Sequence, residues 1–494
     1  MTQMTQIYAD FFIICANPLN LRHLRAKKPL SVIYFACLNR IFLVLLFLGI
    51  TVFSQAQKQP NLNKVKLKVE AAGVARQNTI ASFEITSYSA VPAGSQIVVK
   101  TADGKACLTQ VIPCFQTKSL MLHWRVDGQM KENESRNFVV EIVPATPSTP
   151  VMEIERLSTS PRMMPAPAGA GAPAQGRAPV MQPNLVLKKQ NVNVLQYNTQ
   201  PSRLPGGIDE SYRRNGFIHP AWSPVGNVLT NINPDDHWHH YGIWNPWTLV
   251  EYAGLQYDLW NINGKTGTVR FDSLYRSVSG NLFADILVRH RHVIFQPQKE
   301  VVTNHTWGIM RFTPKHEKII MDELQNIRVW NIEEGTFLWD LDFTLYPSTD
   351  LPVILKEYRY AGIGWRATPD WTKENVQMMT SEGKTRQEID GTSARWIYTT
   401  GMSPKGRSGI MFMGSPKNHN FPEPLRIWDE NQNGGRGDAF INFAPTKNED
   451  WILEPGKSYD FRYRIFVFDG DITPDKAEAI WKDYAYPVKV SVTK

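Results

Sequence analysis

The chain has 494 residues, 42% of them hydrophobic and 20% charged, and its 54 Lys and Arg against 46 Asp and Glu leave a formal charge of +8. That balance excludes a disordered polyelectrolyte and a small disulfide-stapled module, and the length allows two or three domains at roughly 100–200 residues each. Basic and acidic residues are interspersed throughout, so no Lys/Arg block offers a nucleic-acid footprint.

The first feature in chain order is RIFLVLLFLGITVFSQAQ, which starts at Arg40. One basic residue precedes an apolar run from Ile41 to about Phe53, and Ser54, Gln55 and Ala56 place small residues where a signal peptidase reads them. The run is shorter than the roughly 20 residues that span a bilayer. Residues 1–56 therefore read as an upstream segment plus a signal peptide at about residues 40–56, directing the chain to the periplasm or outside the cell. A start codon placed too early explains the residues before Arg40. Cleavage after Ala56 removes five basic residues and one acidic one, lowering the charge from +8 to +4.

Residues 57–143 alternate apolar and polar in LKVEAA, IASFEIT, SQIVVKTA, LMLHWRVDG and RNFVVEIV, which predicts a small β-sandwich accessory domain. Cys107 and Cys114 are the only cysteines after the signal, and in an oxidising compartment they are expected to form a local, structural disulfide. From Pro144 to Pro183 there are nine prolines among Ala, Gly, Ser and Met, so 144–184 reads as an extended linker. Residues 185–494 hold fourteen of the fifteen tryptophans and many strand-like runs, such as FADILVRHRHVIFQPQ and QNIRVWNIEEGTFLWDLDFTLYPS. They predict a large antiparallel β-sandwich of two stacked sheets, so the fold class is all-β. One late helix is expected from Thr473 as N-cap and Pro474 in its first turn.

Three concentrations of residues could carry chemistry. The densest is RNGFIHPAWSPVGNVLTNINPDDHWHHYGIWNPW, with His219, Asp235, Asp236, His237, His239, His240 and Trp244. If DHWHH is extended, His237 and His239 share one face while Asp236, Trp238 and His240 share the other. The second is KEYRYAGIGWRAT, where Glu357, Arg359 and Arg366 lie near Tyr358, Tyr360 and Trp365. The third is GSPKNHNFPEPLRIWDENQNGGRGDAFINFAP, with Asn418, His419, Arg426, Asp429 and Glu430. Apart from these, His290 and His292 in VRHRH face one way and Arg289 and Arg291 the other, a pattern expected of a cleft wall more than a core. Guanidinium groups grip carboxylates and aromatic faces cover the apolar side of a sugar ring, so an acidic saccharide suits the whole set. Imidazoles with a carboxylate also suit a divalent metal; if one is held, His237, His239 and Asp236 are its ligands.

The runs IHPAWSPVGNVLTNINPDDHWHHYGIW, KEYRYAGIGWR and SPKNHNFPEPLR, in that order, resemble a bacterial family of unknown function that carries the label "methane oxygenase PmoA". The likeness covers about residues 190–490. The family's DHPHHRG stands here as Asp236-His237-Trp238-His239-His240-Tyr241-Gly242, a departure that removes one positive charge beside the histidines. A membrane oxygenase subunit needs several apolar spans, and none follows Phe53. What the resemblance implies is a secreted, carbohydrate-linked β-sandwich like the large two-sheet folds of sugar epimerases and polysaccharide lyases.

The function expected is β-elimination on an acidic oligo- or polysaccharide, as a lyase or dehydratase. His237, His240, Tyr358 and Arg366 are the expected catalytic residues, with histidine as base or acid and Arg366 neutralising the substrate carboxylate. His219, His239, Trp244, Arg289, Glu357, Asn418, His419 and Arg426 are the expected substrate contacts. The alternatives are a glycoside hydrolase using a pair among Glu357, Asp235, Asp236 and Asp429, and a non-catalytic glycan-binding protein.

Overall fold

The computed structural model of the chain describes residues 62–85, 91–114, 119–157, 182–296, 301–305, 308–312 and 316–493. The expected signal segment lies outside the described residues, as does most of the proline-rich stretch.

The alternation in the sequence becomes strands almost throughout, nearly all of them antiparallel. A long-stranded sheet runs in the order Gly267–Val278, Phe283–Gln296, His316–Trp330, Thr336–Pro347, Tyr459–Asp469, Gly406–Gly414, Trp396–Ser403, Gln377–Thr380. A short-stranded sheet runs Leu425–Ile427, Phe440–Phe443, Gly364–Arg366, Ile243–Trp244, Phe217–Ala221, Val192–Asn198, Leu185–Lys189, Met152–Arg156. The period of two decides which residues face between them. Along Thr336–Pro347, Phe337, Trp339, Leu341, Phe343 and Leu345 are buried while Asp340, Asp342 and Thr344 point away. From the short-stranded sheet Ile218, Ile243, Trp365 and Ile441 enter the same core. Burying each such side chain contributes about 1.5–3 kcal/mol, so a one-residue register slip in either sheet would forfeit a whole inward row.

The small sandwich packs Lys66–Glu70, Ser135–Pro144 and Ser95–Thr101 against Arg76–Glu84, Leu120–Met130 and Thr109–Pro113, around Leu67, Val69, Val99, Trp124 and Phe138. Its outermost strand is Lys489–Thr493, which pairs Thr493 with Lys66, so the last residues of the chain complete the sandwich begun by the first described ones. It rests on the outer face of the long-stranded sheet. The Gln110 side chain accepts from the Leu282 and Phe283 amides, Arg125 donates to the Asn331 and Ile332 carbonyls, and Ile112 joins Leu282, Phe283 and Trp330.

Two local expectations change. The stretch 144–184 contains a strand, Met152–Arg156, which pairs with Leu185–Lys189 and buries Met152 completely; the alternation in VMEIER overrides the prolines on either side. Cys107 and Cys114 are not joined. The strand Thr109–Pro113 separates them, and at about 3.3 Å per extended residue their Cα atoms stand roughly 20 Å apart, far beyond the ~7 Å that a disulfide bridges. The late helix forms over Pro474–Ala485, with the Thr473 side chain accepting from the Lys476 amide and Trp481 buried against the sheet.

Candidate active site

The middle strands of the short-stranded sheet bring the sequence concentrations together. Ile243 pairs with Ile218 on one side and Trp365 on the other, and Arg366 pairs with Phe440. The inward residues belong to the main core. The outward ones, Phe217, Trp244, Trp428 and Phe440, form an aromatic floor with Tyr241 and Trp260, and Tyr360 packs at its edge.

DHWHH is not extended. The His237 amide donates to the Pro234 carbonyl at 2.9 Å and the His240 amide to the His237 carbonyl at 3.0 Å, so two successive turns gather the three imidazoles above the floor. A turn wins because Asn233 and Pro234 interrupt the strand, and Gly242 returns the chain to it with φ +64°. A Cβ on Gly242 would lie 2.2 Å from the Ile218 carbonyl oxygen, so only glycine fits. His237 stacks on His240 at 4.8 Å between ring centres, His239 meets both edge-on at 5.4 and 4.9 Å, and His237 lies 4.7 Å from the Trp428 ring.

The cluster is organised by Asp236. Its carboxylate accepts from His237 Nδ1 at 2.7 Å, from Arg366 Nη1 and Nη2 at 2.9 and 3.1 Å, and from Asn433 Nδ2 at 2.8 Å. Arg366, with a side chain only 2% exposed, also reaches Asp438 at 3.5 Å and packs 4.8 Å over Trp428. Asn433 and Arg436 both hydrogen-bond Asp438. Burial pushes the Asp236 carboxyl up, but the His237 hydrogen bond and the Arg366 charge outweigh it and hold the group ionised, well below the ordinary carboxylate range. Burial, reinforced by the neighbouring positive charges, lowers His239 to about 3 and holds His240 well below the ordinary imidazole range, so both rings are neutral at physiological pH. The His237 side chain is 30% exposed and its Nε2 has no protein partner among the described residues.

Three expected site residues thus meet: His237, His240 and Arg366, with His239 and Trp244 beside them. His240 is 1% exposed and lies between Phe440, Trp244 and Trp428. The Arg366 guanidinium is already matched to two carboxylates, because the sheet sets it under the histidine turn. Tyr358 is half-buried, 6.4 Å from Tyr360. Arg359 and Arg426 pack over the Tyr360 ring at 5.4 and 5.2 Å, the Trp428 indole donates to Tyr360 Oη, and Arg426 pairs with Asp390. His219 bonds Thr230 and is lowered to about 4 by burial. Glu357 is exposed. Asn418 bonds Glu423 and the Arg462 carbonyl, His419 stacks on Trp451, and Arg289 pairs with Asp272 on the outer face of the other sheet. Among the described residues no group of three His, Cys, Asp or Glu side chains is disposed to hold a metal; in the expected set, Asp236 is occupied by its three donors. Asn433, Asp438 and Trp428 were missed by the sequence reading, although DENQNGGRGD, with its glycines and alternating charges, marks a turn built to hold polar groups.

His290 and His292 do not wall a cleft. They point into the main core, 3% and 0% exposed. Glu323, the carboxylate between them, accepts from His290 Nδ1 at 3.1 Å, His292 Nε2 at 3.0 Å and Asn245 Nδ2 at 2.9 Å, while His290 Nε2 faces the Tyr197 hydroxyl. Burial pushes Glu323 up, yet the two imidazole hydrogen bonds bring it down to about 2. Arg214, also buried, feels the Glu323 charge without pairing with it and packs over the Tyr241 ring.

Residues 184–482 match the model of DUF6807, a family of unknown function. The chain belongs to that family. No curated relative matches it. Among solved structures it is similar to heparan sulfate lyase HepC from Pedobacter heparinus, at 9% identity and a TM-score of 0.26, covering 59% of this chain and 34% of that one. The chain thus spans about a third of the lyase it matches. It is also similar to a GalM/aldose epimerase homologue from C. elegans, at 8% identity and a TM-score of 0.25, covering 59% of this chain and 96% of that one. No helix among the described residues is long and apolar enough to cross a membrane.

Proposed function

We propose that the chain is a carbohydrate-active enzyme that performs β-elimination on an acidic saccharide, with His237 as the base. The observation that carries this reading is the Asp236–His237 pair: a partly exposed imidazole whose Nδ1 is held at 2.7 Å by a carboxylate fixed in turn by Arg366 and Asn433. Asp236 orients the ring and stabilises the imidazolium that forms when Nε2 takes the proton beside the substrate carboxylate. Because Arg366 is consumed by Asp236 and Asp438, and Arg426 by Asp390, we assign both to positioning and give the substrate carboxylate to the exposed Arg359, which packs over Tyr360 at the edge of the same floor. The electron pair released from the C–H bond forms the C=C bond as the C–O bond breaks, and Tyr358 donates a proton to the departing oxygen. The half-buried Tyr358 and Tyr360 rings give a sugar an apolar face to lie on.

Hydrolysis by paired carboxylates fits less well, because Asp236, held ionised by three donors, has no proton to give a leaving group. The leader-like run at residues 40–56 favours the periplasm or the exterior as the place of action.

The test is incubation with acidic and neutral oligosaccharides, reading products by mass and by the absorbance of an unsaturated uronate. Unsaturated products, one water lighter than hydrolysis would give and abolished by His237→Ala, are expected. Saturated products would move the chemistry to carboxylates. An ordered complex whose mass never changes would leave a glycan-binding protein.

A further inference from the structure

A second cleft lies on the opposite side of the molecule, where the small sandwich roofs the outer face of the long-stranded sheet. It encloses about 320 Å³, at the small end of the roughly 300–1,000 Å³ typical of ligand pockets. The sheet supplies its floor as cross-strand rungs. Asp285, Arg328, Asp340 and Arg464 face one another across four strands, and Leu287, Asn326, Asp342 and Arg462 form the next rung. The Arg276 side chain reaches over from the edge strand, and Ile112, Pro113, Cys114, Met121 and His123 close the roof.

Most charges here are matched. Asp285, fully buried, holds Arg276 at 2.6 Å and Arg328 at 2.9 Å, and Arg464 holds Asp340 at 2.6 Å. Asp342 is the exception: among the described residues its carboxyl makes no hydrogen bond or ion pair, although it is open to the cleft. Arg462 is half exposed and only loosely paired, 3.6 Å from Asp460. Three guanidinium groups thus line the cavity against Asp285 and Asp460, with an unbonded carboxyl between them and apolar surface from Leu287, Leu324, Ile112 and Met121.

We propose that this cleft is a second ligand site, binding a small anionic, hydroxyl-bearing molecule whose carboxylate is held by Arg462 and whose hydroxyl groups meet Asn326, Thr344 and the Asp342 carboxyl. An ionised Asp342 would repel such a ligand and a protonated one donates to it. The groups facing Asp342 are Asp340 on its own strand, Arg462 and Arg464 on one neighbour, Asn326 and Arg328 on the other, Tyr484 on the C-terminal helix, and His123 and Cys114 from the roof. Burial and the Asp340 charge raise Asp342 to about 7, and burial lowers His123 to about 3, so of these two only Asp342 changes charge near neutrality. Affinity therefore rises as pH falls through 7.

The experiment is calorimetric titration of the protein with D-glucuronate and with D-glucose, at about pH 5.5 and 8.5, where linkage allows up to about tenfold in affinity per pH unit. We expect glucuronate to bind at least fivefold more tightly at the lower pH and at least tenfold more tightly than glucose. Asp342→Asn should abolish the pH difference, Arg462→Gln should weaken binding about tenfold, and His237→Ala should leave it unchanged, which separates this site from the one beside Trp428. Glucuronate should also slow alkylation of Cys114 as read by peptide mass. Absent binding, equal binding of glucose, a pH difference that survives Asp342→Asn, or binding lost in His237→Ala but kept in Arg462→Gln would overturn the proposal.

Discussion

One histidine–carboxylate cluster projects from the long-stranded sheet into the core between the two sheets, another sits on the outer face of the short-stranded sheet, and the same residue types do different work in each. On the inner face Glu323 lies between His290 and His292 in the core, with every oxygen of the carboxylate bonded and no route to solvent. On the outer face Asp236 holds His237 by one nitrogen and leaves the other reachable. Chemistry needs a group that can exchange a proton with something outside the protein. The inner cluster is closed off from solvent, and the outer one keeps one position open.

The contrast yields predictions, taken from the largest effect down. His237→Ala should lower kcat/KM by about 10²–10⁴-fold, the usual contribution of a positioned acid–base group, with the thermal midpoint little changed because the side chain is partly exposed; activity that survives would remove the base from the mechanism. Glu323→Ala should cost about 3–5 kcal/mol in denaturant unfolding, since it leaves the buried His290, His292 and Asn245 side chains without their shared acceptor. A cost below about 1 kcal/mol would mean that the inner cluster does not hold the sheets together. Asp236→Asn removes a charged hydrogen bond worth about 1.5–3 kcal/mol, so turnover should fall roughly 10–150-fold while substrate binding holds. An equal loss in Arg366→Lys would show that Arg366 acts by fixing Asp236.

A third buried carboxyl sharpens the comparison. Glu423 has Tyr463 and Asn418 as partners and no imidazole or cation, and burial raises it to about 7 where Glu323 falls to about 2. The folded state therefore binds the Glu423 proton more tightly than the unfolded chain does. Its contribution to stability is complete below the ordinary carboxylate range and is lost as pH rises through 7. Glu423→Gln should flatten that decline by on the order of 1–2 kcal/mol between pH 5 and 8, measured as the difference between the two unfolding profiles; an unchanged profile would show that Glu423 is ionised throughout.

Much of the fold was legible because apolar alternation with a period of two is a local property. QNIRVW and TFLWDLDF declare their inward faces residue by residue, and Thr473-Pro474 declares its helix. The same rule misled at His290 and His292. A pair of imidazoles looks wrong for a core until Glu323, thirty residues on and directly across the ladder, supplies the partner. That glutamate had a signal of its own, as the charged residue in the inward row of Met321, Gln325, Ile327 and Val329.

The sequence by itself determined the all-β class, the strand-rich halves and the late helix, since each follows from composition or from neighbours a few residues apart. Tertiary structure alone decided that Arg366 faces Asp236 and Asp438, that Asn433 and Trp428 join them, and that the final strand returns to pair with Lys66–Glu70. These are contacts between residues 60 to 430 positions apart, and a charge or hydrogen bond finds its partner only when packing of the two sheets has fixed both ends.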